Sequence, residues 1–189
     1  MAMDCFVDIQ LRPDPETAAH HLLGALYTKL HRALVARNST GVAVSFPGYQ
    51  LHPLSLGICL RLLGSRPALA ELVQGDWLSG LRDHVMTSAV AAVPVDATNR
   101  TLRRVQAKSN PERLRRRLAK RHGLDEAQAR ARIPDSAAET LQLPFVQLRS
   151  NSTGQTFRMF LSKGVAQPVP VLGEFNAYGL SPQATIPWF

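Results

Sequence analysis

The chain has 189 residues, enough for one ordinary domain or two small ones sharing a core, and 45% of them are hydrophobic, which excludes disorder as the default state. No run of about 18 apolar residues occurs, which excludes a membrane-spanning helix. The net charge of +8 points away from basic partners and toward a polyanion.

In chain order, Cys5, Val7, Ile9 and Leu11 alternate with Phe6, Asp8, Gln10 and Arg12, the period of a strand with one buried face. Asp14 followed by Pro15 predicts an N-cap and first helical position. Ala18, Leu22, Leu23, Leu26, Leu30, Ala33 and Leu34 then recur at helical spacing, to about Arg37. Strands are predicted over 42–46, stopped by Pro47, and over 56–63. A helix starting near Ser65 and Pro67 runs toward Gly75, a turn falls over 77–81, and a fourth strand covers 85–93. The order βαββαβ predicts an α+β chain whose first domain, residues 1–97, is ferredoxin-like. Cys5 and Cys59 lie in apolar strand-like segments without metal or redox spacing, so both are expected as buried free thiols. Residues 1–8 lack the basic-then-apolar layout of a secretory signal, so the cytoplasm is the expected compartment.

Beyond a junction over 94–99, residues 98–189 are expected to form a second domain of mixed α+β character. Residues 101–108 read as extended. Ser109 or Asn110 can cap a helix with Pro111 at its first position, running over about 111–122 and stopped by Gly123. A shorter helix follows Asp125 and ends before Pro134. Strands over 145–150 and 156–162 are joined by Asn151-Ser152-Thr153-Gly154, a hairpin turn, and residues 169–189 read as strand and turn.

The charge is localised. Residues 100–132 hold twelve cations against three acids, more net charge than the whole chain, and arginine outnumbers lysine ten to two. Arginine suits forked contacts to phosphates and base edges. A solvated basic face is the plainer alternative. On a helical wheel Arg113, Arg116, Arg117 and Lys120 share one stripe, Leu114 and Leu118 form the adjacent ridge expected to dock on the protein, and Arg121 sits at the border. Such a stripe can follow the phosphates of a duplex groove, and the narrow major groove of A-form RNA opens to a helix only near the end of a short stem.

Several motifs in order carry a resemblance that spans nearly the whole chain. They are Ile9-Gln10-Leu11-Arg12-Pro13-Asp14-Pro15, Lys29-Leu30-His31, the run from Arg104 to Arg117, Leu143-Pro144-Phe145-Val146-Gln147-Leu148-Arg149-Ser150, Ser152-Thr153-Gly154-Gln155, Tyr178-Gly179-Leu180-Ser181 and Pro187-Trp188-Phe189. With these the sequence resembles the repeat-processing endoribonuclease of type I-F CRISPR systems, weakest over 48–75. The resemblance implies a ferredoxin-like N-terminal domain and a C-terminal domain whose arginine-rich helix lies in the major groove of the repeat hairpin. It implies phosphate contacts from Arg113, Arg116, Arg117, Lys120 and Arg121, with Lys120 standing where the family pattern has arginine. It also implies base reading by Arg104 and Gln106, which matches the forked geometry of guanine and adenine edges, and stacking of Phe157 on the terminal base pair.

RNA carries its own nucleophile, the 2′-OH, so cleavage requires in-line alignment and proton transfer but no metal and no cofactor. Histidine as a residue type titrates near neutrality and suits that transfer. The resemblance implies His31 as the catalytic histidine, Ser150 as the residue positioning the 2′-OH, Tyr178 as the residue orienting the histidine, and Ser152 beside the backbone phosphate. Read without it, His31 would be a packing or surface residue, Ser150 a turn residue and Tyr178 a core aromatic. Whether His31 acts as base or acid stays open. The expected partners are the CRISPR repeat RNA hairpin, held after cutting as the 3′ end of the mature guide RNA, and the other subunits of the interference complex. A non-catalytic hairpin-capping subunit and a DNA-binding regulator are the competing readings. The first would lack a working His31, Ser150 and Tyr178, and the second would show a helix-turn-helix.

Overall fold

The computed structural model describes residues 3–106, 111–134, 141–150 and 154–189. These divide into two compact units, one of residues 1–105 with 143–189, the other of residues 106–142.

In the first unit, β1 (Cys5–Leu11) buries alternate residues as its pattern predicts. α1 (Ala19–Ala36) follows, then β2 (Val42–Ser45), a two-residue hairpin β3 (Gln50–Leu51) and β4 (Leu54–Ser55), β5 (Cys59–Gly64), α2 (Arg66–Gln74), β6 (Val85–Thr87) and β7 (Ala91–Ala92). The sheet order β2-β5-β1-β6, antiparallel throughout, is that of a ferredoxin-like βαββαβ unit. A second antiparallel sheet is ordered β11-β8-β10-β9, from β8 (Thr98–Val105), β9 (Phe145–Arg149), β10 (Thr156–Lys163) and β11 (Thr185–Trp188). The chain is therefore α+β, as its sequence predicts. Between β8 and β9 the second unit holds α3 (Pro111–His122) and α4 (Glu126–Arg132).

Several local expectations are corrected. Asp14 does not cap α1: its carboxylate accepts the amides of Glu16 and Thr17 at 2.8 Å, closing a turn, and the helix starts at Ala19 with no side-chain cap. The strand placed over 56–63 starts at Cys59, because residues 50–55 fold back as β3–β4. The fourth strand is interrupted after Thr87, where the Ser88 hydroxyl accepts the Asp8 amide at 2.9 Å and takes a main-chain carbonyl's place in the ladder. Cys5 is buried, but Cys59, at the start of β5, is only half-buried. Burial, reinforced by the Asp8 charge, raises its thiol to about 11. α2 starts near Ser65 as expected, with the Ser65 side chain capping it, and α3 runs over the predicted residues to a left-handed Gly123. Asp125 and Gln128 form a full capping box on α4. The expected cap at Ser109 or Asn110 and most of the 151–154 turn lie outside the described residues.

One apolar core joins α1 to both sheets, with Val7 and Ile9 of β1, Leu26, Tyr27 and Leu30 of α1, and Val146, Met159 and Leu161 of the second sheet all buried. The sheets are also tied through polar groups. Arg61, 8% exposed, forms a bidentate pair with its cross-strand neighbour Asp8 at 2.7 and 2.8 Å. It also donates to the Phe189 carbonyl at 2.8 Å and lies over the rings of Phe6 and Phe189. The Tyr49 hydroxyl donates to the Leu161 carbonyl at 3.2 Å, and its ring meets Trp188 edge-on.

α1 approaches β9 closely at Gly24, where a Cβ would collide with the carbonyl oxygen of Gln147. In an exposed helix, Gly→Ala stabilises by about 1 kcal/mol. At this site we expect the opposite sign, Gly24→Ala destabilising by about 1–3 kcal/mol through overpacking, read as a lower denaturation midpoint. An unchanged or raised midpoint would show that α1 can retreat without cost.

Candidate active site

Two elements build the centre of the site, α1 and the turn over residues 176–180. The Asn176 side-chain oxygen accepts the amides of Tyr178 at 2.9 Å and Leu180 at 3.2 Å, an Asx-type turn. The Gly179 amide donates to the Asn176 carbonyl at 2.7 Å, and the Asn176 amide to the Leu180 carbonyl at 3.0 Å. Gly179 closes the turn at φ +68°, where a Cβ would lie 2.7 Å from a Val44 methyl, and its carbonyl accepts the Val44 amide at 3.0 Å. Only glycine combines this φ with this approach. The turn is thus fastened to β2.

His31, half-buried on the last third of α1, reaches this turn. Its Nδ1 lies 2.8 Å from the Ala177 carbonyl oxygen, and its ring stacks on Tyr178 with centroids 3.9 Å apart and planes 2° from parallel. A carbonyl only accepts, so Nδ1 carries the proton of this bond. Nε2 is then the nitrogen left to exchange a proton with another molecule, with the lone pair of the neutral ring on it.

Ser150 follows β9, the strand that α1 packs on. The first turn of α1 (Ala19, His20, Leu23) shares a cavity wall with Phe145 at the start of β9, and Gly24 abuts Gln147. From there His31 is seven helical residues onward and Ser150 three extended ones, about 10 Å in each case. Val146 and Leu148 are buried, so alternation directs Ser150 to the same face. Its amide donates to the Gln155 carbonyl at 2.8 Å, closing the β9–β10 hairpin.

Alternation places Arg104 and Phe157 on this face too. Arg104 shares the side of β8 occupied by buried Leu102, and Phe157 the side of β10 occupied by Met159 and Leu161. The Arg104 guanidinium stands 5.7 Å from the Phe157 ring centroid. The positive field of Arg104 also reaches Tyr27, the buried tyrosine beneath Tyr178. Burial and then Tyr178 push that phenol's pKa well above its ordinary value, and Arg104 partly opposes them.

The structure thus sets His31 against Tyr178 and Arg104 by Phe157, with Arg104 acting on the Tyr27 beneath Tyr178 and alternation placing Ser150 on the buried face of β9. Gln106 is exposed where the second unit begins. Ser152 lies outside the described residues. In the second unit Arg113, Arg116, Arg117, Lys120 and Arg121 are all exposed on α3, while Leu114 and Leu118 are half-buried. α3 packs on α4, and Arg115, off the basic stripe, donates from Nε to the Ile133 carbonyl at 2.7 Å. That bond ties the two helices together and leaves the stripe outward.

Residues 6–189 match the sequence profile of a family described as CRISPR-associated protein (Cas_Csy4). The chain belongs to the Cas_Csy4 family. It is 50% identical over 187 residues to the CRISPR-associated endonuclease Cas6/Csy4 of Pseudomonas aeruginosa (strain UCBPP-PA14), covering 99% of this chain and 100% of that protein. It is 44% identical over 187 residues to the protein of the same name from Escherichia coli (strain UTI89 / UPEC), with the same coverage. The resemblance read from the motifs is therefore borne out at the level of the Cas_Csy4 family.

Two side chains that sequence reading passed over belong to the same cluster. Tyr27 donates its hydroxyl to the Tyr178 carbonyl at 2.6 Å and lies nearly parallel to the Tyr178 ring, 6.3 Å away. Asn176 organises the turn. The available signal was the spacing of Tyr27 and His31, four apart on one helix face, and of Asn176 two residues before Tyr178. Neither spacing names its partner without the fold.

Proposed function

We propose that the protein is an endoribonuclease that binds the hairpin of CRISPR repeat RNA and cuts at its base, releasing guide RNA units. The observation that carries this reading is the His31 arrangement: Nδ1 engaged by the Ala177 carbonyl, ring flat on Tyr178, and Nε2 left for exchange. The family match and the two endonuclease relatives support the substrate class.

In the proposed reaction the 2′-OH attacks the adjacent phosphorus in line. The P–O5′ bond breaks as the P–O2′ bond forms, leaving a 2′,3′-cyclic phosphate and a 5′-OH. Nε2 of neutral His31 takes the 2′-OH proton, or in its protonated form supplies the proton to the leaving 5′-oxygen. Ser150 holds the ribose of the scissile nucleotide, and no metal takes part. Phe157 stacks beneath the terminal base pair, a contact contributing about 1–3 kcal/mol, and Arg104 and Gln106 read base edges above it. Arg113, Arg116, Arg117, Lys120 and Arg121 grip stem phosphates, with Ser152 near the phosphate at the cut. After cutting, the protein keeps the 3′ hairpin and joins the other subunits of the interference complex.

The testing experiment is cleavage of the cognate repeat RNA in EDTA, by wild type and His31→Ala, with the product ends analysed. We expect one cut at the hairpin base with a cyclic phosphate end, lost on mutation while binding persists. Tight binding with no cut by either protein would instead indicate a hairpin-capping subunit. Arg104→Ala should cost about 1–3 kcal/mol of binding and relax preference at one stem position. Equal weakening toward all hairpins would reassign it to phosphate contact. Removing the charge of Arg116 or Arg117 should lower the slope of log K against log salt by about 1. An unchanged slope would place that side chain off the RNA.

A further inference from the structure

We infer that Tyr27 is a positioning residue for the reaction, holding His31 and Tyr178 in register through the main chain of the 176–180 turn. The inference rests on the proposed role of His31. Tyr27 and His31 stand four residues apart on one face of α1, and they bond consecutive carbonyls of the turn, those of Tyr178 and Ala177.

Peptide groups are rigid planes, so a plane held at both ends cannot turn. The plane joining Ala177 to Tyr178 is held by His31 at its carbonyl and by the Asn176 side chain at its N–H. The plane joining Tyr178 to Gly179 is held by Tyr27 at its carbonyl and by the Asn176 carbonyl at its N–H. The Tyr178 Cα sits between the two planes, and together they set the ring against which His31 lies. Of the side chains that make these four bonds, Tyr27 is buried, 1% exposed, with Phe46 packed against its ring at 5.9 Å, whereas His31 is half-buried. Burial keeps this phenol protonated and therefore a donor. Without that hydroxyl the second plane can rotate, Tyr178 tilts, and the Ala177 carbonyl no longer selects the Nδ1–H form of His31.

Tyr27→Phe removes the bond and keeps the ring. Three quantities test it: the single-turnover cleavage rate of the repeat hairpin as a function of pH, hairpin affinity with a 2′-deoxy scissile nucleotide, and the 15N signals of the His31 ring. We expect the rate to fall about 10- to 100-fold, the range seen when groups orienting a metal-bound histidine are removed, with affinity unchanged. The Nε2-protonated tautomer should grow at the expense of the Nδ1-protonated one. A folded Tyr27→Phe protein with wild-type rate and wild-type tautomer ratio overturns the inference, as does loss of affinity in step with rate. If Tyr27→Phe does not fold, Asn176 provides the second test. Asn176→Ala should slow cleavage with the same tautomer change, and Asn176→Asp, which keeps an oxygen acceptor for both amides, should restore it; wild-type behaviour in both overturns the bracket. Should cleavage itself prove independent of His31, the proposed function fails, while the tautomer signals still decide whether Tyr27 holds the ring.

Discussion

The close approach of α1 to β9 at Gly24 is the constraint on which the rest of the site depends. A helix normally stands about 10 Å from the layer it packs on, kept off by side chains. Here a bare Cα lies against the Gln147 carbonyl. His31 can then reach a main-chain carbonyl of the 176–180 turn, 146 residues distant in sequence. Ser150 lies three residues beyond Gln147, about 10 Å along an extended strand, as His31 lies about 10 Å along the helix beyond Gly24. A bulkier residue at position 24 would move every member of the cluster that comes from α1 relative to those from the second sheet.

On the proposed reading, grip and chemistry are assigned to different parts of the chain. The five cations of α3 stand outward in the second unit, and their mutual repulsion is a cost that a phosphate backbone relieves. His31, Tyr178, Ser150, Arg104 and Phe157 belong to the first unit, where each is fixed by a strand, a helix or a hydrogen-bonded turn. Arg104 belongs to both activities: its guanidinium stands by Phe157, and its field is felt by the buried tyrosine under Tyr178.

Sequence periodicity made β1 and α1 legible because each shows one clean repeat; β5 was found as an apolar run and α2 from the residues that punctuate it, and the βαββαβ order then follows. α3 was legible to the residue, since Pro111 and Gly123 punctuate it chemically. Asp14 misled because Asx side chains serve turns and helix starts equally, and only the path of residues 15–18 decides between them. The β3–β4 hairpin was missed since two-residue strands carry no period. In the site, the resemblance named His31, Ser150 and Tyr178, whereas the residues alone gave packing, turn and core readings. Tyr27 was invisible as anything but core, because its role depends on which carbonyl lies across the helix face, and that is set by tertiary register.

The Arg61 clamp has a consequence for how the site meets its substrate. Asp8 and Phe6 lie on β1, Arg61 on β5, and Phe189 directly follows β11, at the far side of the second sheet from β9. With the guanidinium held between two rings and by three acceptors, the last strand of one sheet is riveted to the middle of the other, and the Tyr49 hydroxyl adds a second rivet at Leu161. A hinge between the sheets would have to tear out a bidentate, partly buried ion pair. On the proposed reading, the face built by α1, the 176–180 turn and β9 is therefore a fixed die: RNA shapes are selected by fitting it unbent, and a poor fit is rejected as misalignment of the reacting atoms.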